Sequence, residues 1–186
     1  MKKEKSRASR KMKQVILVLC EGETEECYVD MLRQKYRLPI KVISKIVGQK
    51  INQRLIDRHK KELRINAADK IQCYLMYDAD VKKVVDTIKR CDAISLLSNP
   101  CIEIWFLAHI EKINSQTTDV NKCLQKLQMH QEWNSYIKGS LSLVQQEVLW
   151  KNRNLAKDNI VTSTESEKAF SNLSVFIDEL NKQQDL

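Results

Sequence analysis

The sequence predicts an α/β domain: a parallel sheet of about four strands flanked by helices, followed by a helical C-terminal region. Three observations lead there. Over the first hundred residues, short β-branched and aliphatic runs alternate with longer amphipathic segments, the rhythm of a parallel sheet with right-handed crossovers. The chain has 186 residues, 42% hydrophobic and 30% charged, enough to bury the core of one ordinary domain. Only 3 Gly and 2 Pro occur, which argues against collagen-like or turn-rich all-β architectures and leaves long helices with few loop signals. The organisation expected is a basic tail over 1–13 and a single domain over 14–186.

The first strand is Val15 to Cys20, aliphatic with no polar alternation, as a strand buried on both faces requires. Gly22 supplies the turn after it. Thr24 reads as an N-cap, with Glu23, Glu25 and Glu26 at the positive end of the helix it opens. Tyr28, Met31, Leu32 and Lys35 recur there at helical spacing, and the helix ends before Pro39. Residues 39–43 form a candidate second strand. A basic helix from Lys50 to Ile65 carries Ile51, Leu55, Ile56 and Leu63 on its apolar face. Ile71 to Tyr77 is the third strand, stopping at Asp78-Ala79-Asp80; a helix over Val81 to Arg90 and a fourth strand over Ala93 to Leu97 follow.

Ser98-Asn99-Pro100 reads as a helix start, a cap residue followed by Pro at the first helical position, and opens a helix from Cys101 to Ile113. The chain is helical beyond that point: from a Thr118 or Asp119 cap to Met129, from Leu141 to Trp150, and from Glu165 to Leu180, where Phe170, Leu173, Phe176, Ile177 and Leu180 share a face.

The net charge is +8, yet residues 1–13 hold seven Lys/Arg against one Glu, so the body is near +2. Such an arm attracts polyphosphates by Coulomb steering and counterion release, or simply solubilises the chain. The helix with Lys50, Arg54, Arg58, Lys60, Lys61 and Arg64 has the same two readings, a phosphate track or a solvated face. The apolar run at 15–20 is far below the roughly 20 residues that span a bilayer and lacks the features of a signal peptide; no membrane association and a cytoplasmic location are expected. Six cysteines show no CxxC or His-paired spacing and read as reduced core residues rather than zinc ligands or disulfides. His59, His109 and His130 are read as surface or core histidines, with His109 near enough to Glu103 in sequence to approach a site. Trp105, Trp133 and Trp150 are read as packing residues.

In parallel sheets the site lies at the carboxyl ends of the strands, and Glu21, Asp78 and Asp80 fall there. Three converging carboxylates repel one another unless a hard cation sits among them, and oxygen-only ligation suits Mg²⁺ or Mn²⁺. Such ions support phosphoryl transfer. The competing reading is that acidic residues after strands cap the next helix.

Glu21-Gly22-x-Thr24-Glu25, then Asp78-x-Asp80, then Ser98-Asn99-Pro100-Cys101-Ile102-Glu103-Ile104-Trp105 together resemble RloB-like proteins of the Toprim superfamily, over roughly residues 14–150. The resemblance implies a Toprim-like sheet with Glu21 as metal ligand or general acid/base, Asp78 and Asp80 as metal ligands, and Glu25 and Glu103 as supporting ligands. It also implies a lysine on the phosphate, for which Lys138 in Tyr136-Ile137-Lys138-Gly139 is the candidate. Such proteins resemble components of antiphage defence that work beside an ATPase; the chain has no GxxxxGK[ST], so ATP use falls to a partner. Val81 departs from the pattern, standing where many relatives have a charged residue. Three functions are consistent with these residues: a Mg²⁺-dependent nuclease acting on RNA or DNA, a noncatalytic subunit that binds nucleic acid or a partner protein, and a transfer enzyme acting on a small nucleotide. A homo-oligomer is compatible with each.

Overall fold

The first strand is covered on both faces because its residues are apolar on both faces. A computed structural model of the chain describes residues 14–38, 41–63, 70–162 and 167–184. The expected tail over 1–13, Pro39, Ile40, Arg64, Ile65 and Glu165 lie outside the described residues. Strand β1 (Gln14–Cys20) runs parallel to both β2 (Lys41–Ile46) and β3 (Lys70–Asp78). Its Ile16, Val18 and Cys20 enter one core and Leu17 and Leu19 the other, all fully buried. Each such aliphatic contributes about 1.5–3 kcal/mol.

Strand β4 (Ile94–Asn99) adds a further parallel neighbour to β3, with Asp78 opposite Ser98. The complete order is β2-β1-β3-β4-β5. Helices α2 (Gln53–Glu62) and α3 (Lys82–Ile88) cover one face, where Ile56, Val84 and Ile88 meet Leu17, Leu75 and Leu97. The other face carries α1 (Glu23–Tyr36), α4 (Glu103–Ala108), α5 (Val120–Gln128), α6 (Leu143–Lys151), α7 (Arg153–Asn159) and α8 (Ser174–Gln184). Helix α4 is apolar all round after Glu103 and buried throughout, as a helix enclosed by others must be. Trp105 donates its indole N–H to Tyr28 Oη at 2.8 Å, and Phe106 stacks on Trp133. Trp105 and Trp133 are thus packing residues, and Trp150 lies under the Arg153 guanidinium.

Four expectations change. Helix α1 starts at Glu23 with Gly22 as its N-cap, so Thr24 is not the cap; its hydroxyl is engaged elsewhere. Pro100 does not open a helix: the Asn99–Pro100 peptide is cis and α4 begins at Glu103. A fifth strand, β5 (Phe170–Ser171), runs antiparallel to β4 where a helix was expected, and α8 begins at Ser174. Asn172 explains the break, because its side-chain amide accepts from Leu97 N at 2.6 Å and donates to Ser95 O at 3.0 Å, extending the sheet pairing in place of a helical turn. Helix α7 lies where no element was expected. The six cysteines are free, and Cys20, Cys73, Cys101 and Cys123 are buried. Among the described residues no helix is long and apolar enough to cross a membrane.

His109 ends α4 fully buried, its Nδ1–H donating to Trp105 O at 2.7 Å while Nε2 lacks a partner. Burial pushes its pKa down to about 4. An unfolded chain takes up a proton near pH 6.5 that the folded one refuses, so this contribution is complete above pH 6.5 and falls by about 1.4 kcal/mol per unit as the pH drops toward 4. Melting at pH 4.5 and 7.5 should show a smaller acid-induced drop in Tm for His109→Gln than for the wild type. Equal drops would remove His109 as a source of acid sensitivity.

Candidate functional site

The register of β1 against β3 brings two acidic chain ends together. Cys20 pairs with Met76, and the next residue, Glu21, donates its backbone N–H to Met76 O at 3.0 Å. Glu21 Oε2 then accepts from Asp78 N at 3.1 Å, while Oε1 accepts from Gln49 Nε2 at 2.8 Å. Asp78 Oδ1 accepts from Ile102 N at 2.8 Å, fastening the end of β3 to the turn that enters α4. That turn delivers Glu103, whose side chain is 0% exposed. Glu25 comes from the first turn of α1, folds back to accept from Gly22 N at 3.0 Å, and is also buried.

Four acidic side chains therefore converge: Glu21, Glu25, Asp78 and Glu103. The electrostatics record it. Burial, then the charges of Glu25, Glu103 and Glu21, push Asp78 up to about 9. Glu25 is also raised, first by burial and then by Glu103 and Glu21, against the pull of its backbone donors. The balancing cation is Lys138, half-exposed, with Nζ 3.4 Å from Glu103 Oε2. Burial works against its charge, but Glu103 and Asp78 are among the groups that hold its pKa above the usual value.

Lys138 reaches the cluster because its loop is tied at three points. Tyr136 Oη donates to Glu103 Oε1 at 2.9 Å, Gly139 N donates to Thr24 Oγ1 at 2.9 Å, and Cys27 Sγ donates to Gly139 O at 3.0 Å. Gly139 has φ +81°, and a Cβ there would meet Glu23 Oε2 at 2.7 Å. Tyr136, Thr24 and Gln49 were not identified from the sequence as site residues. The signal available for Tyr136 and Gly139 was their place on either side of Ile137-Lys138; Gln49 gave none.

Asp80 does not join the four. It is exposed and lines a separate groove with Lys82, Asp86 and Asn99. The basic α2 meets the centre only near its N-terminus, through Gln49 on the preceding loop, while Lys60 pairs with Asp92 and Glu62 with Lys45 and Arg58. None of the three histidines bonds a site carboxylate: His59 faces Glu62, His130 faces Glu111, and His109 faces Trp105. A larger groove of about 760 Å³ lies along β2, walled by Glu26, Asp30, Arg33 and Glu62, and holds none of these candidate residues.

The donor set suits a hard divalent cation. It is oxygen-rich, and Asp78 is raised first by burial and then by the neighbouring carboxylates Glu25, Glu103 and Glu21. Glu103 Oε2 is buried without a hydrogen-bond partner, the Lys138 ammonium being an ion-pair neighbour at longer range. In the side-chain positions described, no three Asp, Glu, His or Cys groups are close enough to form a ready ligand set, so ligation requires side-chain rotation.

Fold and centre define an α/β protein with an acidic cluster at the carboxyl ends of its two central strands. The chain belongs to the RloB-like protein family, whose model matches residues 16–180. No curated protein and no solved structure gives a match.

Two outcomes follow. Ala at position 139 forces a left-handed backbone on a residue with a Cβ and crowds Glu23, at a cost of about 1–2 kcal/mol; Gly139→Ala should lower Tm by roughly 2–8 °C. Folded Asp78 keeps its proton to about pH 9 while an unfolded Asp loses it near 3.8. In metal-free protein the contribution of Asp78 to stability should therefore fall as pH rises from about 4 to about 9, opposite in sign to that of His109, and Asp78→Asn should melt higher than the wild type at pH 8 in EDTA. A lower Tm for that variant at pH 8 would contradict the raised pKa.

Proposed function

We propose that the chain is a Mg²⁺- or Mn²⁺-dependent nuclease of the Toprim type, hydrolysing phosphodiester bonds in RNA or DNA. The observation that carries this reading is the half-buried Asp78 with its raised pKa among Glu21, Glu25 and Glu103, at the strand ends where α/β sites lie. Glu21, Glu25, Asp78 and Glu103 would hold the ion, and Asp80 would join them only by turning out of its groove. When bound, the metal supplies the charge that acidifies an attacking water and offsets the developing charge on the leaving oxygen. Lys138 binds the scissile phosphate, drawn by the same field that pairs it with Glu103. Glu21, on the rim, accepts from Gln49 and Asp78 N; in the alternative assignment it stays off the ion and exchanges a proton with water as general acid/base. The basic N-terminal residues favour a polyanionic substrate. A role in antiphage defence, under the control of a partner ATPase, extends the same reading and rests on the sequence resemblance alone.

A second reading, a noncatalytic subunit that binds nucleic acid or a partner, has one observation in its favour: no three ligand groups are gathered closely enough for a metal among the described residues. Labelled tRNA, single-stranded DNA and duplex DNA separate the two. With Mg²⁺ or Mn²⁺ the wild type should cut at least one of them, and EDTA should abolish cleavage. Loss of a group supporting a metal typically costs 10–100-fold, so Asp78→Ala should lower the rate by roughly 100-fold or more. Cleavage that survives EDTA and Asp78→Ala would refute the metal mechanism; binding without cleavage under all conditions would favour the second reading.

A further inference from the structure

A groove of about 530 Å³ is lined by Ala79 and Asp80, directly after Asp78, and not by Glu21. We infer that it holds an unpaired nucleotide of the substrate next to the bond that is cut, so that the chain selects single-stranded over duplex nucleic acid. This rests on the proposed function, since it places a neighbour of the scissile phosphate.

The groove and the acidic cluster share a wall. Ala79 and Asp80 line the groove directly after Asp78, and Pro100 lines it two residues before Ile102, whose N–H binds Asp78 Oδ1. A strand whose phosphate sits at Lys138 and Asp78 has its next nucleotide within reach of this space. The lining is divided as a nucleotide is. Val85 and Val120 give apolar sides between which a base face can lie, over a closed floor to which Pro100 and Phe170 contribute. Lys82 and Lys89 stand on one edge of α3, about 10 Å apart along the helix axis, and can meet the phosphates on either side of that base. Among the described residues neither lysine forms an ion pair. Asp80, Asp86 and Glu167 present three carboxylates against the two lysines, which suits the amino groups of a base edge and confines the phosphates to the lysine edge.

Duplex nucleic acid cannot use such a space, because its bases are stacked and paired and offer only their edges in the grooves. A single strand can turn one base out at little cost and pack it between the apolar sides. The location also accounts for Asp80, which faces the groove rather than the other four carboxylates.

The test reads binding without chemistry. Fluorescence anisotropy in EDTA would compare a labelled single-stranded oligonucleotide with its hairpin duplex, for the wild type, for Val120→Trp, which fills the groove, and for the pair Lys82→Ala/Lys89→Ala. The expected result is at least a tenfold preference of the wild type for the single strand, reduced about tenfold in both variants with Tm within a few degrees of wild type. If the tryptophan variant fails to fold, the exposed lysine pair decides. Equal affinity for both forms, or unchanged single-strand affinity in the folded variants, would overturn the inference. Cleavage assays on the same proteins separate it from the nuclease reading. The expected binding pattern with no wild-type cleavage in Mn²⁺ would leave the groove and remove the nuclease, whereas undiminished cleavage of the single strand by both variants would remove the groove and leave the nuclease.

Discussion

Negative charge gathered at the end of an apolar sheet is the constraint on which the rest of this structure depends. Two like charges 5–6 Å apart repel by about 3 kcal/mol at an effective dielectric near 20, and burial adds a desolvation cost for each ion. The chain meets that cost locally. Gly22 and Ile102 donate backbone N–H groups to Glu25 and Asp78, Tyr136 donates a hydroxyl to Glu103, and Lys138 supplies a full charge. Asp78 nevertheless keeps its proton far above the range of an ordinary carboxyl. A domain selected for stability alone has little reason to bring four acids to one end of its sheet.

The donors that moderate this charge come from separate stretches of chain, and that dictates the packing. Glu21 and Asp78 are held by strand register, Glu25 by the first turn of α1, and Glu103 by the start of α4. Tyr136 and Lys138 arrive from a loop more than thirty residues beyond Glu103, fixed against α1 through Thr24, Cys27 and Gly139. The helices that follow the sheet therefore complete the centre as well as cover the core.

Much of this was legible in the sequence. The aliphatic run 15–20 has no polar alternation because both faces of β1 are covered, and its end marks Glu21. Asp78 was found by the same logic at the end of β3. What remained hidden depends on tertiary contact. Phe170 and Ser171 make a strand too short to show a period of two, and Phe170 also fits the helical spacing of Leu173, Phe176, Ile177 and Leu180. Thr24 has the chemistry of a cap, but its hydroxyl is taken by Gly139, 115 residues away. Ser98-Asn99-Pro100 imitates a helix start, while the helix itself waits until Glu103. Asp78 and Asp80 lie two residues apart in sequence, yet the chain leaves the sheet between them and their carboxylates part.

The two-residue β5 and the Asn172 side chain give β4 hydrogen-bond partners on its outer side, with α8 following at once. That border of the sheet presents little backbone to another chain. The opposite border is β2, whose outer edge is unpaired among the described residues and carries Lys41 and Lys45, the latter in an ion pair with Glu62. Lysines on an edge strand oppose the pairing of like strands. Growth of this sheet by addition of identical chains is thus hindered on one side by a short cap and on the other by charge, a safeguard against aggregation built into a sheet whose central strand is among the most apolar segments in the sequence.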